Sequence, residues 1–318
     1  VTDLADRLVP AMAGLIELGV VDTDAWSRRR VLQLGGAAAA AAVAVVALPG
    51  VAAAASPSDT TTAPSTSSTT TTTTTVPPPT RTIYFTSGSA VLSVPTTGGS
   101  PTTIATNLSS PQGLAIAGNT LYVSEVGAGR ISTVPITGGA ATTLTTGLSN
   151  PWGIAVANGV IYVPETPTKS ILAIPTSGSP VTTVASDITN PLWVAVDNGT
   201  LFISNVNQGQ ILTVPTAGGT PTVFLGGLRA PYSLTTSNGV LYFTQSSISQ
   251  NVSSVPVAGG SPTVLAGGLA NANGLAVADG LLYIADTNNN RIATVPIGGG
   301  TLTTLVGGLS RPIGIVVV

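Results

Sequence analysis

The chain has 318 residues, of which only 7% are charged, with a net charge of −2 and neither cysteine nor histidine. Disulfides, lipid-modified cysteines, thiol nucleophiles, His-Cys zinc sites and Ser-His-Asp catalysis are therefore excluded. Within residues 82–318 five basic residues (Arg130, Lys169, Arg229, Arg291, Arg311) face six acidic ones (Glu125, Glu165, Asp187, Asp197, Asp279, Asp286), so there is no basic footprint for a phosphate backbone and nucleic acid is not an expected partner.

Residues 1–26 show a weak helical spacing through Leu4, Leu8, Ala11, Leu15 and Leu18, insufficient for a domain. Ser27-Arg28-Arg29-Arg30-Val31-Leu32-Gln33 then resembles the twin-arginine export signal, with Val31 where that signal usually has Phe and Gln33 where Lys is common. The uncharged stretch Leu34 to Leu48 and the small residues Ala52 to Ala55 fit a cleaved signal peptide. An uncleaved membrane anchor is the alternative, with the arginines on the cytoplasmic side. Either way the remainder is expected outside the cytoplasmic membrane, secreted or held at the cell envelope, and this anchor is the one membrane contact expected. From Ser56 to Thr80 nearly every residue is Thr, Ser or Pro, a composition that buries nothing and reads as a linker or stalk, with O-glycosylation open. The expected organisation is a leader over 1–55, a linker over 56–80 and a folded unit over 81–318.

That unit is a repeat. Prolines 95, 135, 175, 215, 256 and 296 each follow Val or Ile and step by 40, 40, 40, 41 and 40 residues. A period of about 40 made of short strands predicts β-propeller blades. In the copy opening at Pro151, Ile154 to Val156 reads as a first strand, Asn158-Gly159 as a type I′ turn, and Val160 to Val163 as a second strand. A third strand ends at Ile174-Pro175, where a residue without an N–H suits a strand end. Glycine-rich pairs such as Gly138-Gly139 and Gly299-Gly300 lead into Thr-rich fourth strands such as Ala141 to Thr146 and Thr301 to Leu305. The first copy opens at a second-strand position, Thr82, and the segment from Pro312 supplies a first strand with no second. The expectation is an all-β, six-bladed propeller of four-stranded blades, closed by pairing of these two segments within one blade.

Two rings of residues should meet on the face where first strands begin and second strands end. The inner ring reads Gln112, Trp152, Leu192, Tyr232, Asn273 and Ile313, with Trp193 in place of a small residue. Aromatic surface beside carboxamides suits a sugar, a peptide or another neutral ligand. Ordinary packing that plugs the channel is the competing reading. The outer ring reads Ser87, Glu125, Glu165, Asn205, Gln245 and Asp286. Three carboxylates on one face could hold a divalent cation such as calcium. Yet Glu125 is followed five residues on by Arg130 and Asp286 by Arg291, while Asn205 is followed by Gln210 and Gln245 by Gln250, which points to local pairs that brace turns. Glu165 has Lys169 one position early.

Asn273-Gly274-Leu275-Ala276-Val277, Leu282-Tyr283-Ile284-Ala285-Asp286 and Asn289-Asn290-Arg291-Ile292 resemble an NHL repeat, of which the other five copies are weaker versions. The resemblance implies a six-bladed propeller whose surface binds protein, RNA or a small molecule. Six-bladed lactonases and gluconolactonases are related, and they hold a metal through Glu, Asn and Asp at the channel mouth; of that pattern this chain matches Asn273. Streptogramin lyases are similar, but their proposed catalytic His has no counterpart here. The leading expectation is an extracytoplasmic binding propeller without catalytic activity or cofactor, using Gln112, Trp152, Trp193, Tyr232 and Asn273 to hold an unidentified protein, peptide or glycan. One alternative is a metal-dependent hydrolase of lactone or ester type using Glu125, Glu165, Asn273 and Asp286. Another is a structural or adhesive cell-surface module that binds through its outer strands.

Overall fold

The computed structural model describes residues 80–245 and 250–318; the leader over 1–55 and all but the last residue of the linker lie outside the described residues. Twenty-four strands form six antiparallel sheets of four. There is no α-helix among the described residues. Blade 1 has the order β24-β1-β2-β3, in which β24 (Pro312–Val317) pairs with β1 (Thr82–Ser87), followed by β2 (Ala90–Pro95) and β3 (Thr102–Ala105). Blades 2 to 6 each run through four consecutive strands, opening at β4 (Pro111–Ala117), β8 (Ala155–Ala157), β12 (Pro191–Asp197), β16 (Pro231–Ser237) and β20 (Ala272–Ala278).

Turn chemistry makes the blades. Asn158 and Gly159 have φ of 50° and 75°, both in the left-handed region, as a two-residue hairpin between right-twisted strands requires. Each period-terminating proline is the last residue of a third strand. Two fourth strands start slightly later than their sequence suggests, at Thr142–Thr146 and Thr303–Val306, because the residues just after the glycine pair have no ladder partners.

The core is divided among the six seams between blades. Each hydrophobic cluster draws on two neighbouring blades, and each contains one aromatic residue from the same place in a second strand: Tyr84, Tyr122, Tyr162, Phe202, Tyr242 and Tyr283. A fully buried aromatic or aliphatic side chain contributes about 1.5–3 kcal/mol, so each seam is held chiefly by this packing. The seam between blades 6 and 1 carries Tyr283, Phe85 and Ile315 and is built like the others.

Candidate functional site

A β-bulge in five of the six first strands shapes the channel mouth. In blade 2 Pro111 pairs with Glu125, but the next pair is Leu114 with Val123, so the register slips across Gln112 and Gly113. Blades 1, 4, 5 and 6 carry the same slip. The bulge turns the inner-ring residue out of the ladder towards the mouth and leaves an amide without a strand partner. A hydroxyl one place before the outer ring takes that amide: Gly113 N donates to Ser124 Oγ (2.7 Å), Trp193 N to Ser204 Oγ (2.9 Å), Ser233 N to Thr244 Oγ1 (3.1 Å) and Gly314 N to Thr86 Oγ1 (2.7 Å). Two of these hydroxyls donate onward to the next blade, Ser124 to Trp152 O and Thr86 to Gln112 O. Blades 3 and 6 have Pro164 and Ala285 in that place, and a threonine two residues on supplies the onward bond alone, Thr166 donating to Pro191 O (2.8 Å) and Thr287 to Pro312 O (2.6 Å).

The small residues in the bulges have steric reasons. A Cβ on Gly113 would lie 2.6 Å from Trp152 O, and one on Gly314 2.4 Å from Gln112 O, because adjacent first strands converge there. Blade 4 breaks the rule with Trp193, only 5% exposed, whose ring lies against Gly153. Blade 3 accommodates it. Its first strand shrinks to Ala155–Ala157, Pro151 keeps one isolated bridge to Glu165, and Gly153 N donates across the seam to Leu192 O (2.9 Å). Ile313, from the blade opposite, packs against the cluster containing Trp193. Trp193 also borders a channel cavity of about 260 Å³, together with Leu114, Ile154, Leu234, Leu275 and Ile315.

Of the expected ligand-binding residues, Trp193 and Asn273 are buried, while Gln112, Trp152 and Tyr232 are half-buried. Trp152 and Tyr232, from blades 3 and 5, meet edge to face with ring centres 6.3 Å apart and planes at 88°. Burial pushes the Tyr232 hydroxyl up to about 12. Asn273 Nδ2 donates to Thr287 Oγ1 at 2.6 Å. The network orients this amide: Thr287 gives its proton to the Pro312 carbonyl, so towards Asn273 it can only accept. Asn273 Oδ1 is thus a buried acceptor without a partner, and Trp152 Nε1 and Ser233 Oγ are also buried without partners.

The outer ring has a uniform role. Its side-chain oxygen accepts a backbone N–H from the turn entering the same blade: Glu125 from Ser109 (2.7 Å), Glu165 from Ser149 (2.6 Å), Asn205 from Asn190 (3.1 Å), Gln245 from Arg229 (2.8 Å), Asp286 from Ala270 (2.7 Å) and Ser87 from Ser310 (3.1 Å). Arg130 and Arg291 complete ion pairs with Glu125 and Asp286, each 2.7 Å long, over carboxylates with no exposed surface. Burial alone would raise the Glu125 pKa, but hydrogen bonds from Arg130, Ser109 and Ser132 and the Arg130 charge hold it below the ordinary carboxylate range.

Two expected pairings differ. The partner of Gln245 is Asn251 (3.2 Å), not Gln250, because the 41-residue step places its extra residue inside that turn. Lys169 takes a left-handed corner at φ 56°, leaving Ser170 opposite Glu165, whose second oxygen accepts from Thr168 (2.9 Å). As a donor set for a cation, Glu125, Glu165, Asn273 and Asp286 fit poorly. Every carboxylate oxygen is already engaged, and no group of three His, Cys, Asp or Glu side chains among the described residues could hold a metal ion. The shift of the hydroxyl from place 164 to 166 and from 285 to 287 has one signal in the sequence, the Ser and Thr at 86, 124, 204 and 244 against Pro164 and Ala285.

The NHL repeat family model matches residues 269–294, which include the buried Asn273, Asp286 and Thr287. No curated protein matches the chain. Among solved structures, a chain of the crystal structure of a nidogen/laminin complex superposes with a TM-score of 0.69 at 17% identity, covering 74% of this chain and 98% of that one. At that identity the likeness shows the fold. Some 908 solved chains match, so the architecture alone selects no activity.

Proposed function

We propose that this protein is an extracytoplasmic binding propeller that holds a partner at its channel mouth, without catalysing a reaction. The observation that carries this is the Trp152–Tyr232 pair, contributed by two blades that are not neighbours; the Trp152 indole N–H and, in the same inner ring, the Asn273 carboxamide oxygen are buried and partnerless. Buried polar groups are rarely left unpaired, and two in one ring at the mouth are placed to meet a partner's hydrogen-bonding groups once the aromatic side chains yield. The mouth offers indole, phenol and carboxamide groups, while the nearby carboxylates are committed to turns. That a chain of the same fold occurs in a nidogen/laminin complex supports a protein partner. The export reading rests on Arg28, Arg29 and the apolar stretch that follows them.

The test is to screen the full chain on peptide and glycan arrays beside Trp152→Ala and Tyr232→Ala proteins whose circular dichroism matches the parent. Hits lost in both variants support the mouth; hits retained in both sink it.

A further inference from the structure

The charged side chains are distributed unequally between the two faces of the disc. Strand direction puts the turns entering first strands and those leaving second strands on the mouth face, with the hairpin turns between first and second strands opposite. Lys169, Arg229 and Arg311 lie in mouth-face turns of blades 3, 5 and 1, and all three are exposed. Among the described residues none forms a salt bridge. Arg130 and Arg291 add cations from blades 2 and 6 with 30% and 22% of their side chains exposed. Five of the six blades therefore raise a cation around the mouth, and blade 4, which supplies Trp193, does not.

The carboxylates of this face lie beneath that layer. Glu125 and Asp286 have no exposed surface, Glu165 is 5% exposed, and only Asp187 reaches solvent. Among the described residues the opposite face carries Asp197 and Asp279 with a single cation, Arg81, which is bound to Asp279 at 2.9 Å. The outer layer of the mouth face is thus cationic around an aromatic centre, while the other face carries one ion pair and one further carboxylate, Asp197.

We infer that the partner at the mouth is an acidic polypeptide segment, seated with a neutral or apolar tip on Trp152 and Tyr232 and with flanking carboxylates towards Lys169, Arg229 and Arg311. This rests on the mouth reading above and adds the partner's chemistry. Trp, Tyr and Arg are the side chains that dominate protein–protein hot spots, and here the aromatics lie at the centre with the cations at the rim. Rim charges of this kind govern encounter rate and choice of partner. A basic segment would meet unpaired like charge from three blades, beside the ion-paired arginines of two more.

Three fluorescein-labelled peptides of about 15 residues test it, sharing a central Phe-Gly-Asn and flanked by Glu, Ser or Lys, in anisotropy titrations with the full chain up to about 1 mM. The acidic peptide should bind at least about tenfold more tightly than the neutral one and weaken between about 0.05 and 0.5 M salt. A folded Lys169→Glu/Arg229→Glu/Arg311→Glu protein should lose that preference. Equal binding of acidic and neutral peptides, binding of neither, or a preference unaltered by the triple reversal overturns the inference. Binding of heparin without binding of the acidic peptide also overturns it, in favour of an anionic glycan. Trp152→Ala separates the two readings: if it abolishes binding of acidic and neutral peptides alike, the mouth stands whether or not charge matters.

Discussion

Trp193 occupies the space that a side chain at Gly153 would need: a Cβ there would lie 2.0 Å from Cδ2 of the indole. Gly153→Ala must displace the ring and should cost about 1–3 kcal/mol by overpacking. Trp193→Ala should cost about 3–5 kcal/mol through the void it leaves. In the Trp193→Ala background the Gly153→Ala change should cost little, and a double-mutant cycle in urea measures that coupling. Additive losses would mean that the two residues do not share one space.

Thr287 joins Asn273 to the Pro312 carbonyl of the next blade through two bonds of 2.6 Å. Thr287→Val keeps the shape and removes both the acceptor of one Asn273 N–H and the donor to the Pro312 carbonyl, so a loss of about 1–3 kcal/mol is expected. Thr287→Ser should recover most of it. Denaturation midpoints of the three proteins check this.

Glu125 contributes to acid stability. Its carboxylate is held below its ordinary range when folded, so its stabilisation is present above the unfolded value of about 4.3 and is lost as pH falls through the lower folded value. Glu125→Gln should still accept from Ser109 but should flatten the stability profile below pH ~4.3. Melting temperatures at closely spaced acidic pH values read this directly.

Tyr232 acts at the other end of the scale. With its hydroxyl pushed up to about 12, the folded state favours the neutral phenol, so stability falls as pH rises from the unfolded value of about 10 through about 12. Tyr232→Phe should reduce that alkaline loss. Phenolate absorbance during titration should show one fewer late-ionising tyrosine.

The architecture was legible because it rests on local chemistry repeated six times. Asn158-Gly159 needs a hairpin wherever it occurs between two β-rich runs, and a 40-residue interval from proline to proline leaves room for four strands. The outer ring was legible for the same reason, since Glu125 and Arg130 face each other across one turn. Blade 5 shows the limit: counting five residues from Gln245 reaches Gln250, and only the ladder reveals that the added residue shifts the pairing to Asn251. Trp193 stands out in an alignment of the copies, but the copies do not say that its ring turns towards Gly153 and shortens the neighbouring strand. Partnerless atoms such as Asn273 Oδ1 are invisible to any pattern, because they depend on where Thr287 sends its single proton.

Six turns are fastened by the same backbone amide, yet the oxygen that accepts it comes from serine, glutamate, asparagine, glutamine or aspartate. The blade asks for an acceptor at a given reach and is indifferent to whether that acceptor is ionised. Formal charge at these six places is therefore separable from the turn itself, provided that a buried anion finds partners of its own, as Glu125 and Asp286 do in Arg130 and Arg291. Arg130 and Arg291 stand beside two of the three buried anions, so part of the cationic rim follows from how two turns are tied.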